Sequence, residues 1–303
     1  MSLPPRWIPW GAAALLALGA IALLQWRRSF APYEGSRLLL TLPLENAVKL
    51  YIDADALRAA RWLDSAPASP ASEEPDYRRF VQQTGFDYRK DLSAAAASFL
   101  NGGVYIAVRG HFDWKRLSEY ARAQQGECSG SFCFMPASKP GRYISFYPMR
   151  ANILALAVAA DRRAASRIAA PPANVSASPA ASAPVWVSAP GAEFRDLSGL
   201  PDGSHILSPL ADAREVTFSL RSGELQLDAA CASPEIAASI VVRFTATTDL
   251  LRKMLQRDHL SPSPSDLSGV LIAGRFQTRA SHAIGTWPVQ KEFVESLLGG
   301  AVR

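Results

Sequence analysis

Histidine is scarce in this chain. Four stand among 303 residues, His111, His205, His259 and His282, and no two are four apart, the spacing that sets two imidazoles on one helix face around a metal. Cysteine is scarcer, with three residues at 128, 133 and 231, too few for a zinc site built from two cysteine pairs. The Gly-x-Ser-x-Gly elbow of serine hydrolases is absent, as are the glycine-rich phosphate loop and the Gly-x-Gly-x-x-Gly dinucleotide fingerprint. These gaps leave no expected cofactor and no expected metal. No basic run exceeds two residues although the net charge is +5, so the dense positive footprint of a nucleic-acid binder is missing. A Ser/His/Asp constellation can still be assembled in space, and His111 beside Asp113 is its best-placed start.

What is present is enough apolar sequence for a core: 49% hydrophobic against 19% charged residues, in a chain long enough for two domains. The first thirty residues decide the broad class. Ile8 to Leu24 carries no charged side chain, is bracketed by Trp10 and Trp26, and is flanked by Arg6 and the Arg27-Arg28 pair. Such a stretch spans a bilayer as a helix, so residues 8–26 are expected to be a single-pass membrane anchor. A cleaved signal peptide is the rival, since Ala20-Ile21-Ala22 has the small-x-small form of a cleavage site. Orientation draws two opposed readings. More Lys and Arg follow the span than precede it, which favours a cytoplasmic domain. Cys128 and Cys133 lie in a Gly/Ser turn with four residues between them, which favours a disulfide and therefore an oxidising compartment. The expected location is the inner (cytoplasmic) membrane with the large domain on the periplasmic, extracytoplasmic side.

The fold class expected is α+β: an N-terminal transmembrane helix, then two similar halves of mainly antiparallel sheet with helices packed on one face. Residues 1–30 form the anchor, 31–170 the first domain, 171–184 a Pro/Ala/Ser linker and 185–303 the second domain. In the first half the pattern predicts a strand at 47–52, a helix started by Asp53 and Asp55, and a helix over 76–84 closed by Gly85. A strand follows at 93–100, against the helix preference of its four alanines. Beyond it lie a strand at 104–109, a helix at 113–124, three strands between 131 and 159 and a helix at 161–169. In the second half a hairpin spans 215–230, and a helix starts at Ser233-Pro234 and runs to 257. A strand at 269–278 and a closing helix at 287–298 complete it.

One short phrase occurs three times: Asp76-Tyr77-Arg78-Arg79, Asp87-Tyr88-Arg89-Lys90 and Asp113-Trp114-Lys115-Arg116. An Asp ahead of a helical turn accepts hydrogen bonds from free backbone N–H groups, while the aromatic turns inward and the basic pair stays wet. The functional reading of the same residues is a basic, aromatic-interleaved binding patch of Tyr77, Arg78, Tyr88, Arg89, Trp114 and Arg116.

The run Asp76-Tyr77, Phe80-Val81, Thr84-Gly85-Phe86-Asp87-Tyr88 and Asp91-Leu92, followed by Arg109-Gly110, Phe112-Asp113 and the Cys128/Cys133 pair, resembles a group of uncharacterised single-span or secreted bacterial proteins. Upstream, Tyr51-Ile52-Asp53 and Leu57-Arg58 fit the same likeness. The resemblance implies envelope localisation and no catalytic residues. The function expected is a membrane-anchored, non-catalytic binding or scaffolding module whose partner is an envelope protein or a glycan. The alternative is an extracytoplasmic hydrolase or other enzyme.

Overall fold

The computed structural model describes residues 35–62, 75–100, 102–169, 183–195, 204–221, 223–259, 261–263, 266–290 and 293. The expected anchor lies outside the described residues, as does most of the expected linker. Among the described residues no helix is long and apolar enough to cross a membrane.

The molecule is built on one sheet of twelve antiparallel strands. In the first half these are β1 (Val48–Asp53), β2 (Leu92–Leu100), β3 (Gly103–Gly110), β4 (Glu127–Ser129), β5 (Phe132–Pro136), β6 (Tyr143–Arg150) and β7 (Ile153–Ala159). The second half supplies β8 (Val185–Pro190), β9 (Glu215–Arg221), β10 (Glu224–Ala230), β11 (Arg275–Arg279) and β12 (His282–Pro288). The order across the sheet is β11-β12-β10-β9-β8-β1-β2-β3-β7-β6-β5-β4. The halves meet where β1 pairs with β8, so residues either side of the expected linker share one sheet.

The order contains a repeat. In each half three strands form a meander (β1-β2-β3 and β8-β9-β10), a helix follows, and a later hairpin returns so that its last strand joins the third. The helices are α5 (Trp114–Ala123) and α6 (Pro234–Arg257). The hairpin strands are β6-β7 and β11-β12, and the antiparallel β1–β8 pair sits midway. The first half adds β4 and β5, which have no counterpart between α6 and β11; there the chain forms a short helix, α7 (Leu267–Ile272). Among the described residues four further helices precede α5: α1 (Gly35–Leu39), α2 (Ala54–Ala59), α3 (Pro75–Thr84) and the single turn α4 (Tyr88–Asp91).

Directly opposed residues share a face, and one apolar row crosses the whole sheet. It runs from Phe276 on β11 through Leu227, Val187, Leu50 and Ile106 to Phe146 and Cys133. Both long helices bury their apolar stripes on this face. Leu117 and Ala121 of α5 pack with Cys133, Phe146 and Leu154, and Ala237, Ile240 and Phe244 of α6 pack with Leu227, Val216 and Trp287. Ser233 caps α6 by accepting from the Ile236 N–H at 3.4 Å, and Pro234 opens its first turn, where a missing N–H costs nothing.

The other face differs between halves. Over β2, β3, β6 and β7 it is covered by α1 and a 3-10 turn at Ala164–Arg167, which depart from the expectation of helices on one face. Small side chains allow this close cover: Ala94, Ala96, Ala107, Ala155 and Ala157 are all fully buried. That burial keeps β2 extended despite its alanines. Both edges of β2 are paired, and any helix there would forfeit the β1 and β3 ladders. In the second half the same face carries Thr217, Gln226, Asp228 and Thr286, and among the described residues no helix lies upon it.

The last segments correct the sequence reading. Residues 267–272 are helix before the chain turns at Gly274 into β11, and Trp287-Pro288 ends a strand instead of opening a helix. Ala283, Gly285 and Trp287 alternate buried with their neighbours, a period of two that Pro288 had masked as a helix start. Trp287 packs edge-on against Phe276 at 5.3 Å and Phe244 at 6.5 Å. A side chain at Gly274 would meet the Trp287 indole nitrogen at 2.6 Å, so only glycine fits the turn beneath that ring.

Candidate functional site

The three Asp-aromatic-basic phrases build a helix corner. Asp113 caps α5 by accepting from the Arg116 N–H at 3.0 Å, and Asp87 caps α4 by accepting from the Arg89 N–H at 3.0 Å. Asp76 differs: it sits inside the first turn of α3, behind Pro75, and faces Arg79 at 3.6 Å. The rings contact one another in series, mostly tilted or edge-on, with Phe86 stacked on Phe112. Tyr88 meets Tyr77 at 5.4 Å, Tyr77 meets Phe80 at 6.5 Å, Phe80 meets Phe86 at 6.4 Å, and Phe86 meets Phe112 at 5.1 Å. Trp114 continues the ladder from Phe112 at 5.2 Å, and Tyr120 stands edge-on to Phe80 at 5.2 Å.

Polar atoms on the ladder have partners. The Tyr77 hydroxyl accepts from the Tyr88 N–H at 3.2 Å and donates to Asp87 at 3.3 Å, and Trp114 Nε1 donates to the Ala151 carbonyl at 3.1 Å. Burial, with the Asp87 charge beside it, pushes the Tyr77 phenol up to about 12. Arg116 faces Asp113 at 3.5 Å, while Arg78 and Arg89 are exposed. The six patch residues of the sequence reading thus lie along one corner, whose rings fasten α3 and α4 onto α5.

The titratable residues weighed from sequence are engaged locally. Asp53 caps α2 through the Ala56 N–H at 2.9 Å, and Asp55 pairs with Arg58 and lies 4.0 Å from Arg109. His111 is exposed and donates its backbone N–H to the Asp91 carbonyl at 2.9 Å. His282 Nδ1 lies 2.6 Å from Asp228 Oδ1 on the uncovered face, and among the described residues no hydroxyl or thiol is bonded to its other ring nitrogen. No group of three or more His, Cys, Asp or Glu stands close enough to hold a metal among the described residues.

Cys128 and Cys133 form a disulfide across the β4–β5 hairpin, with Cα atoms 4.1 Å apart. Cys133 is buried beneath α5, so the staple ties the added hairpin to the core. Cys231 is a free thiol, buried just past β10, and burial pushes its pKa up.

The face of β5 and β6 turned away from Cys133 carries the second concentration of rings. Phe132 stacks with Tyr147 at 6.0 Å, and Phe134 stands edge-on to Tyr143 at 6.2 Å. The segment after β7 lays two arginines over them and a third over Tyr105 of β3. Arg162 lies 5.3 Å from the Phe134 ring and 4.7 Å from that of Tyr143, Arg163 lies 5.5 Å from Phe132, and Arg167 lies 4.9 Å from Tyr105. All three arginines are exposed, and among the described residues none forms an ion pair with a carboxylate. Arg162 also donates to the Tyr143 hydroxyl at 3.1 Å, and that bond, with a weaker contribution from Glu127, favours its charged form. The turn is pinned: Asp161 accepts from the Arg163 N–H at 2.8 Å, and the Ala165 N–H donates to the buried Ser145 hydroxyl at 3.0 Å.

Sequence reasoning missed this cluster because it placed a helix over 161–169 and looked for arginines beside 78, 89 and 116. The available signal was alternation. Phe132 and Phe134 flank inward-facing Cys133, and Tyr143 and Tyr147 flank Ser145, a period of two that turns four rings to one side.

No protein-family model and no curated protein matches the chain. Among solved structures it is similar to crystal form III of TP0453, at 12% identity and a TM-score of 0.46, over 86% of this chain and 96% of that one. Crystal form I of TP0453 matches at 12% identity and a TM-score of 0.45, over 88% and 98% of the two chains.

Proposed function

We propose that the protein is an envelope-facing, membrane-anchored module that binds a partner without catalysis, and that the partner docks on the arginine-capped ring face of β5, β6 and the 161–167 turn. One observation carries this reading: Arg162, Arg163 and Arg167 are exposed, held over rings and, among the described residues, in no ion pair with a carboxylate. A guanidinium resting on a ring is already oriented, so it loses little freedom on docking; Arg162 and Arg167 each give one N–H to a tyrosine hydroxyl, of Tyr143 and Tyr105, and that bond fixes them further. Arg and Tyr together are also the side chains that dominate binding at protein surfaces.

Two features support the placement. The docking face is built partly from β5, which belongs to the hairpin that interrupts the repeat and is stapled by the disulfide. A disulfide in that hairpin suits an oxidising compartment, in keeping with the apolar segment at residues 8–26 as an inner-membrane anchor.

Photo-crosslinking in intact cells tests the reading. A crosslinking side chain replaces Ser166 on the arginine turn, and separately Gln277 or Thr286 on the uncovered face of the second half. The reading requires discrete adducts from position 166 and none from the other two. Adducts from the control positions alone, or from none of the three, would overturn it.

A further inference from the structure

We infer that the arginine-capped face recognises the carboxylates of an extended acidic protein segment; this rests on the proposal that the face is the docking surface. Four of the rings already carry a guanidinium. Arg162 covers both Phe134 and Tyr143, Arg163 covers Phe132, and Arg167 lies over Tyr105, which is itself only 3% exposed. A sugar or a nucleobase that binds by stacking needs a bare ring face. Those faces are already occupied by guanidinium.

A bilayer is disfavoured on a separate ground. A surface that beds into lipid presents large apolar side chains to it. The exposed large hydrophobics among the described residues are Phe99, Val242, Leu250, Met254 and Leu267, and none lies in the 127–169 region. What the face does present is three guanidinium groups, of which Arg162 and Arg167 each already give one N–H to a tyrosine hydroxyl and keep the others. Each is a planar fork of N–H donors that matches a carboxylate with two parallel hydrogen bonds.

The layout of the three groups sets the shape of the segment. Arg163 and Arg162 stand over rings of β5 and β6, and Arg167 over a ring of β3. From β5 to β3 is three strand steps in the sheet, by way of β6 and β7. At about 4.8 Å per step the three groups span roughly 14 Å. An extended chain covers that length in about four residues, and alternate side chains point to the same side. Acidic residues at alternate positions therefore turn their carboxylates to one side along that span, with Arg162 and Arg163 towards its β5 end and Arg167 at its β3 end.

The test uses the full-length protein and a fluorescein-labelled peptide of alternating glutamate and serine, followed by fluorescence anisotropy. Parallel arms use the glutamine counterpart of the peptide, inorganic polyphosphate, a sulfated glycan, and vesicles containing phosphatidylglycerol. The variant is the triple substitution Arg162→Lys, Arg163→Lys, Arg167→Lys, which keeps the charge and removes the fork. Its fold is checked by circular dichroism, where exposed side chains predict no change. The inference expects saturable binding of the glutamate peptide, none of the glutamine peptide, and at least a tenfold weaker affinity in the lysine variant.

Equal affinity in the lysine variant would show that charge alone acts, and the carboxylate fork would fall. Preference for polyphosphate, glycan or vesicles, lost in the variant, would overturn the acidic-segment inference while leaving the docking face standing. Binding in no arm would overturn the inference, and crosslinking from position 166 then decides separately whether the docking face stands.

Discussion

Replacing Phe244 by Ala asks whether the two halves unfold as one body. Phe244 is 2% exposed, stacks on Phe276 at 5.2 Å and meets Trp287 edge-on at 6.5 Å, at the centre of the contact between α6 and the sheet. Removing a buried Phe ring costs about 3–5 kcal/mol, the transfer loss plus the cavity it leaves. The sheet runs unbroken from β11 to β4, so this loss is expected to reach the whole molecule. With a urea dependence of about 3 kcal/mol per M, the unfolding midpoint falls by roughly 1 M. Two probes decide the matter: tryptophan fluorescence and an extrinsic label at an exposed first-half position such as Lys115. Both are expected to report one coincident transition, and both to move by the same amount in the variant. Two separate transitions, with only one shifted, would refute the continuous sheet as a cooperative unit.

Three further outcomes follow from named contacts. Changing Cys128 and Cys133 together to Ser opens a loop with a sequence separation of 5, which by the chain-entropy relation costs about 2 kcal/mol; urea titration of the double variant, with an unchanged midpoint as the contrary result, checks it. Tyr77 has a folded pKa raised to about 12 against an unfolded value near 10, so the fold holds its proton more tightly. Its contribution is complete below about pH 10 and fades as pH climbs towards about 12; melting curves should therefore show wild type losing ground to Tyr77→Phe across that window, and a constant gap would contradict the assignment. Glu215 accepts from Lys49 at 2.8 Å and from the Ser188 hydroxyl at 2.7 Å beside the β1–β8 seam; although burial opposes it, those bonds hold its pKa below the ordinary range. The stabilisation is present above the unfolded carboxylate pKa and is lost as pH falls through the folded one, so Lys49→Met, costing under about 1 kcal/mol for so exposed a pair, should cost nothing measurable in acid.

Local chemistry was legible from the chain. Ser233 and Pro234 announced α6, Asp113 announced α5, and the two cysteines in a Gly/Ser turn announced a disulfide, because each signal acts within a few residues. The similarity of the two halves was legible as a repeated strand and helix style, and the sheet order displays it as a repeated connection. The seam between them was not. Tyr51 opposes Trp186 across more than a hundred residues, and no periodicity in either strand names its partner. The proline after Trp287 misled because propensity is local: like the helix preference of the β2 alanines, which the strand reading of 93–100 already sets aside, it was overruled by neighbouring strands that pair the backbone. The arginine face was hidden because a cation and a ring in contact need not be near in sequence, as Arg167 and Tyr105 show.

Export of the domain bears most heavily on the account, since the disulfide, the compartment and the class of partner all depend on it. The measurement is the state of Cys128 and Cys133 in intact and lysed cells, trapped with a membrane-impermeant alkylating reagent before and after reduction. The account predicts thiols that resist the reagent in both samples until reductant is added, and that then become reactive in cells whose inner membrane is intact. Free thiols that react without reductant, and only once the inner membrane is broken, would place the domain in the cytoplasm and contradict it.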